Sequence, residues 1–326
     1  MRLKTKLTEK LGIKHPILLA PMGVMAGGKL AAAVSNAGGL GIIGGGYGDA
    51  EWLELQFAAA GSARVGCGFI TWSMARSPKL LDQVLAKQPA ALMLSFGEVE
   101  PHASRIKARG VPLICQVQGM KYLREAVNAG ADIVVAEGCE AGGHSGYRGL
   151  FTLVPEAADY LAKRSLDTVL VAAGGVGDGR GLAAALLLGA DGVLVGTRFV
   201  ASEESEAPGG FREAIIRADG DSTVKSNSVD VVRKRYWPNP EFVVRVLKNR
   251  FVSQWHGRER EMEMAIDVEH ERFWRAFKAG DADNSGVLMG EVSGIIQDAP
   301  PAAQIVEEMV ANACQLLGSY SRYVVQ

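Results

Sequence analysis

The sequence is poor in cysteine. Cys67, Cys115, Cys139 and Cys314 form no CxxC pair and no Cys/His metal spacing. That argues against a disulfide framework and makes a reduced, cytoplasmic protein the economical expectation. An excess of one charge is also missing. The 35 basic and 36 acidic residues leave a formal net charge of −1, so no general basic field recruits nucleic acid, and a small-molecule partner is expected. No apolar run is long enough for a membrane span, the stretch from Ala183 to Gly189 included. The start, Met1 to Lys10, lacks the apolar core of a signal peptide. A calcium loop begins at Asp281-Ala-Asp-Asn-Ser-Gly286 but lacks its end. The required bidentate glutamate position falls on Val292, with Glu291 one place short, so no metal is expected and Asn-Ser-Gly reads as a turn.

What the chain does have is glycine, 40 residues of it, and short apolar runs separated by Ala-rich amphipathic stretches. The runs are Ile17 to Ala20, Gly41 to Ile43, Val65 to Ile70, Ala91 to Leu94, Leu113 to Gln116, Ile133 to Val135, Val169 to Ala172 and Gly192 to Val195. None alternates polar with apolar, which fits strands buried on both faces of a parallel sheet. Helices are expected over Lys29 to Asn36, Lys121 to Asn128 and Arg180 to Leu188, each followed by glycine. Eight buried strands with helical crossovers predict an α/β fold, a (β/α)8 TIM barrel. A doubly wound sheet competes, but no GxGxxG follows the first strand; the glycine-rich loops instead follow the sixth, seventh and eighth.

Beyond residue 205 the pattern changes. Phe211 to Ala218, Phe242 to Trp255 and Glu259 to Ala279 read as helical, and a basic run, Arg233-Lys-Arg-Tyr-Trp-Pro238, lies between them. The expected organisation is a barrel over 1–206, a helical lid over 207–290, and a segment 291–326 whose helix, Pro301 to Leu317, returns to the barrel. The basic run reads as a solvated helix end or a wall of the substrate pocket.

Active sites of parallel barrels lie at the C-terminal ends of the strands. The segment Glu140-Ala-Gly-Gly-His-Ser-Gly146 follows the sixth strand and sets His144 among glycines. An imidazole there can exchange protons near neutral pH. The competing reading is a tight turn whose histidine satisfies a carbonyl. Ala173-Gly174-Gly175 and Gly196-Thr197 follow the seventh and eighth strands, where backbone N–H groups can meet a phosphate and Thr197 can add a hydroxyl. Met22, after the first strand, can pack beneath a flat ring or fill the core. Gln116 is a candidate for an isoalloxazine heteroatom and Glu137 for a ribityl hydroxyl. Trp72 can line a pocket or simply pack. The other histidines lack the glycine setting and read as structural or exposed.

Ala20-Pro-Met22, Ala32 to Gly41, Glu140-Ala-Gly-Gly-His144, Ala172-Ala-Gly-Gly175 with Asp178-Gly-Arg-Gly181, and Gly196-Thr-Arg-Phe199 together resemble the nitronate monooxygenases, formerly 2-nitropropane dioxygenases. Flavin-dependent enoyl-acyl carrier protein reductases and some NADH:quinone reductases share nearly all of this set. The resemblance implies a TIM barrel with non-covalent FMN. It also implies a catalytic role for His144 and cofactor contacts at Ala20, Pro21, Met22, Glu137, Gly142, Gly143, Gly174, Gly175, Gly196 and Thr197. The implied activity is oxidation of alkyl nitronates by O2 to a carbonyl compound and nitrite. The alternatives are an NAD(P)H-dependent FMN reductase of a quinone or enoyl thioester, and a non-catalytic flavin- or phosphosugar-binding barrel. The chain departs from the family pattern at Gly68, where many relatives carry a flavin-touching Asn, and at Gln116, where some quinone-reducing members carry a Lys. Oligomeric state is left open, a homodimer among the options.

Overall fold

The computed structural model of the protein describes residues 2–164 and 167–319. All eight apolar runs become strands. They are β1 (Ile17–Leu19), β2 (Ile42–Gly46), β3 (Gly66–Ile70), β4 (Leu92–Ser95), β5 (Leu113–Val117), β6 (Ile133–Glu137) and, after a short β7 (Gly143–Ser145), β8 (Val169–Ala173) and β9 (Gly192–Val195). Excluding β7, they form one parallel sheet in the order β1-β9-β8-β6-β5-β4-β3-β2. Its two ends meet ahead of β2. Leu18 bridges Leu40 in parallel, Leu19 N–H donates to the Leu40 carbonyl, and Leu40 N–H donates to that of Ile17. The sheet is therefore closed into the expected (β/α)8 barrel.

The strands read as uninterrupted apolar runs because both faces are dry. Leu18, Ile42, Met93, Ile114, Ile133, Val135, Val171 and Leu194 fill the interior, together with Leu7 and Leu11 from the helix Lys6–Leu11. Their neighbours, including Leu19, Ile43, Leu94, Cys115, Val134 and Val193, pack against the surrounding helices. Burying one Leu or Ile fully stabilises the fold by about 1.5–3 kcal/mol. The alternation continues to the C-terminal strand ends, so Gln116, two residues beyond Ile114, and Glu137, two beyond Val135, share the inward face.

Residues 207–290 were expected to be helical, and here the structure corrects the sequence reading. The helices Gly209–Arg217, Ser228–Val232, Arg250–Trp255, Glu259–Glu263 and Ile266–Ala279 are joined by two strands, β10 (Thr223–Lys225) and β11 (Val243–Leu247). With β7 they make an antiparallel sheet, β10-β11-β7. The Phe242–Trp255 stretch is thus a strand followed by a helix. In Val243-Val-Arg-Val-Leu247 burial alternates, and Val244 and Val246 face Val229, Val232, Phe251 and Phe273 in a core of the cap itself. The final helix, Ala302–Gly318, packs against Gly179–Leu187 on the barrel. Residues 320–326 of the segment 291–326 lie outside the described residues. No helix among the described residues is long and apolar enough to cross a membrane.

Candidate functional site

Every candidate residue lies at or beyond the C-terminal end of a parallel strand, and the barrel gathers them around its mouth. Gln116 and Gln118 both donate side-chain N–H to Oε2 of Glu137, at 2.9 and 3.0 Å. Burial pushes the Glu137 carboxyl up to about 8, against these hydrogen bonds and the nearby charge of Lys225. Gln116 is therefore engaged with Glu137, and the two form one network inside the mouth.

The glycines divide into two kinds. A Cβ on Gly142 would meet the Gly290 nitrogen at 2.5 Å, and one on Gly174 the Gly138 oxygen at 3.1 Å, so both positions are small because protein backbone passes there. Gly175 and Gly196 differ. A Cβ on Gly175 finds only Glu140 Cβ at 3.8 Å. One on Gly196 finds Met22 Sδ at 3.5 Å and Ala20 Cβ at 3.6 Å, ordinary contact distances. Room is left above both, as a phosphate needs. Gly143 is open as well, with a φ of +78° that few side chains tolerate. Ala173 pairs in register with Glu137, and Thr197 Oγ1 accepts the Gly290 N–H at 3.0 Å, keeping its own proton free to donate. Met22 sits between the barrel shell and the cap core. Gly68 has a clear physical reason: a Cβ there would strike the Pro21 ring at 2.5 Å, so the asparagine of many relatives would displace Pro21.

His144 is not in a turn. It occupies the middle of β7, opposite Val244 of β11, and is buried. Its Nε2 lies 2.6 Å from Asp230 Oδ2, and the Asp230 carboxyl is itself buried. The indole of Trp237 stacks on the imidazole, ring centres 3.6 Å apart and planes 20° from parallel. Phe96 meets the imidazole edgewise at 6.1 Å, holding a left-handed backbone (φ +59°) uncommon for a bulky residue. Burial holds the His144 pKa below the ordinary histidine value, with Asp230 pulling the other way. Beside it, Lys225 Nζ donates to the carbonyl of Ser145 at 3.1 Å and to that of Gly146.

Sequence reasoning missed Asp230, Phe96, Tyr47 and Lys225. Trp237 was visible only as part of the basic run, and its indole packs against His144 and Phe96. Trp237 and Trp72 meet at 5.5 Å and both meet Tyr47, whose hydroxyl accepts the Trp237 indole N–H at 3.1 Å. Three guanidinium groups ring this cluster: Arg76 over Trp72 at 4.9 Å, and Arg233 and Arg235 over Tyr47 at 5.6 and 4.5 Å. Among the described residues none of the three has an acidic side chain within ion-pair distance. Asp281, at the start of the aborted calcium loop, instead accepts the N–H groups of Asp283 and Asn284 in a turn.

The protein is a closed parallel barrel with open glycines after its last two strands and a buried imidazole in the loop after its sixth. A family profile described as nitronate monooxygenase matches residues 4–64 and 71–312. A nitronate monooxygenase of Neurospora crassa is 32% identical over 92% of this chain and 89% of its own length. A (3aS,4S,5R,7aS)-5-hydroxy-7a-methyl-1-oxo-octahydro-1H-indene-4-carboxyl-CoA dehydrogenase of Mycobacterium tuberculosis is 30% identical over 99% of this chain and 100% of its own. Among solved structures, FabK from Thermotoga maritima superposes with a TM-score of 0.85 at 30% identity, covering 99% of this chain and 100% of that one. The chain belongs to the nitronate monooxygenase family of flavin-dependent oxidoreductases, and it is an enzyme of that class.

Proposed function

We propose that the protein oxidises alkyl nitronates with O2 to a carbonyl compound and nitrite, using non-covalently held FMN, in the reducing cytoplasm. The observation that carries this reading is the buried His144, packed against Trp237 and Phe96, on a barrel whose last two parallel strands end in open glycines. The residues fit the group: Gly175 and Gly196 leave space for one phosphate, Thr197 retains a hydroxyl proton, and no second, adenylate-type glycine fingerprint follows β1 to call for FAD. Bound there, a flavin supplies the electron transfer between an electron-rich carbanion and O2. The chain's own residues do the rest. The aromatic wall excludes water from the reacting carbon, Arg233 and Arg235 draw in an anion, and His144 meets the nitro group or the adjacent carbon.

A second reading has support of its own. The dehydrogenase relative acts on a carboxyl-CoA, and the guanidinium groups of Arg76, Arg233 and Arg235, without an acidic partner among the described residues, suit the phosphates of a thioester or a nicotinamide dinucleotide. One pair of experiments separates them. Aerobic assay with a preformed alkyl nitronate should release nitrite, while anaerobic mixing with NADH or NADPH should leave the yellow colour in place. Rapid bleaching without nitrite release would establish the reductase reading instead.

A further inference from the structure

We propose that Asp230 is a positioning residue: it anchors His144 through Nε2 and thereby makes Nδ1 the nitrogen that faces substrate. A carboxylate can only accept, so at 2.6 Å the shared proton belongs to Nε2–H. Neutral imidazole carries one proton, which leaves a lone pair on Nδ1. Among the described residues Nδ1 has no hydrogen-bond partner, whereas the ring itself is clamped by Trp237 and Phe96. A neutral imidazole held in this way accepts a proton and cannot donate one to an anion. The geometry therefore equips His144 for a neutral nitroalkane. The Cα–H bond breaks, its proton passes to Nδ1, the electron pair enters the C=N bond of the nitronate, and Asp230 balances the imidazolium until water takes the proton. The charged and titratable groups facing the ring are Asp230 and Arg233 from the helix Ser228–Val232 and its end, and Lys225 from β10. Asp230 alone favours the protonated ring.

The inference rests on the reading that His144 is the reacting group, and two measurements keep the two apart. The first is independent of turnover. Nitrogen-15 spectra of histidine-labelled protein, with the His144 signal identified by its loss in His144→Gln, should place the proton of the neutral ring on Nε2. Asp230→Asn should disturb that signal. A proton found on Nδ1 overturns the proposal. The second is kinetic, with flavin content matched. Asp230→Asn should lower kcat/KM for a neutral nitroalkane by about 10²–10⁴-fold, the usual contribution of a positioned base, and spare the preformed nitronate to within about tenfold. The acid limb of the pH profile should move to lower pH, because the carboxylate that raised the histidine pKa is gone. Asp230→Glu, which keeps the charge, should recover part of the loss. Equal loss on both substrate forms, or an unmoved acid limb, overturns the role. If the wild type oxidises neither form while the Nε2 proton is found and lost as expected, the function fails and the positioning stands.

Discussion

At the scale of single residues, what matters is which atoms have room. Gly196 has a negative φ of −108°, outside the left-handed region, and an added Cβ clears its neighbours. Gly196→Val should therefore fold with a Tm close to wild type yet lose flavin. Removing a charge-assisted hydrogen bond to phosphate costs about 1.5–3 kcal/mol, roughly 10- to 100-fold in affinity. The flavin-to-protein ratio after dialysis, read beside thermal unfolding, checks this; full occupancy would put the phosphate elsewhere. Glu137 offers a second test. Its folded carboxyl holds its proton to about 8, whereas in the unfolded chain it gives it up near the usual 4.5. Between those values the unfolded state binds fewer protons, so stability falls as pH rises and the loss is complete above the folded pKa. One unit of displacement is worth about 1.4 kcal/mol, which sets the effect on the order of a few kcal/mol. Denaturant midpoints of flavin-free protein should decline from pH 5 to pH 8.5, and Glu137→Gln should flatten the decline. Parallel profiles would mean Glu137 ionises normally. His144 was legible in the sequence because an imidazole among glycines after a buried strand is unusual. Asp230 was not, because 86 residues separate the pair and Ser228-Val-Asp-Val-Val232 looks like any short helix with one polar face.

At the scale of elements, the barrel was legible and the cap was not. Strands dry on both faces announce themselves as apolar runs, and all eight did. β7 and β10 have only three residues each, Gly-His-Ser and Thr-Val-Lys, and carry no such run. β11 alternates, but the apolar residues of the following helix, Phe251, Val252 and Trp255, blend with it into a false helical period. The final helix was legible from its apolar face, and its seat is specific. A Cβ on Gly179 would lie 2.6 Å from the Ala313 nitrogen, the Met309 oxygen and Asn312 Cβ. Gly179→Val should push Ala302–Gly318 away from Gly179–Leu187, at the overpacking cost of about 1–3 kcal/mol. A urea midpoint equal to wild type would show that this seat is looser than drawn.

At the scale of the whole molecule, barrel and cap are interleaved rather than stacked. The chain leaves β6, lends Gly143–Ser145 to the cap sheet against Val243–Arg245, and only then returns to β8. Arg245 reinforces the seam by donating from Nε and Nη2 to the Cys139 carbonyl. The His144 imidazole is thus covalently part of one unit and hydrogen-bonded into the other, with its carboxylate partner supplied from the second. For anyone recombining relatives of this family, that has a practical meaning. The cap cannot be transplanted as a cassette cut at residue 207. A chimera has to carry residues 138–149 with it, or the grafted Asp230 and β11 must fit an imidazole and an edge strand that come from a different chain. The natural crossover unit includes the loop after the sixth barrel strand.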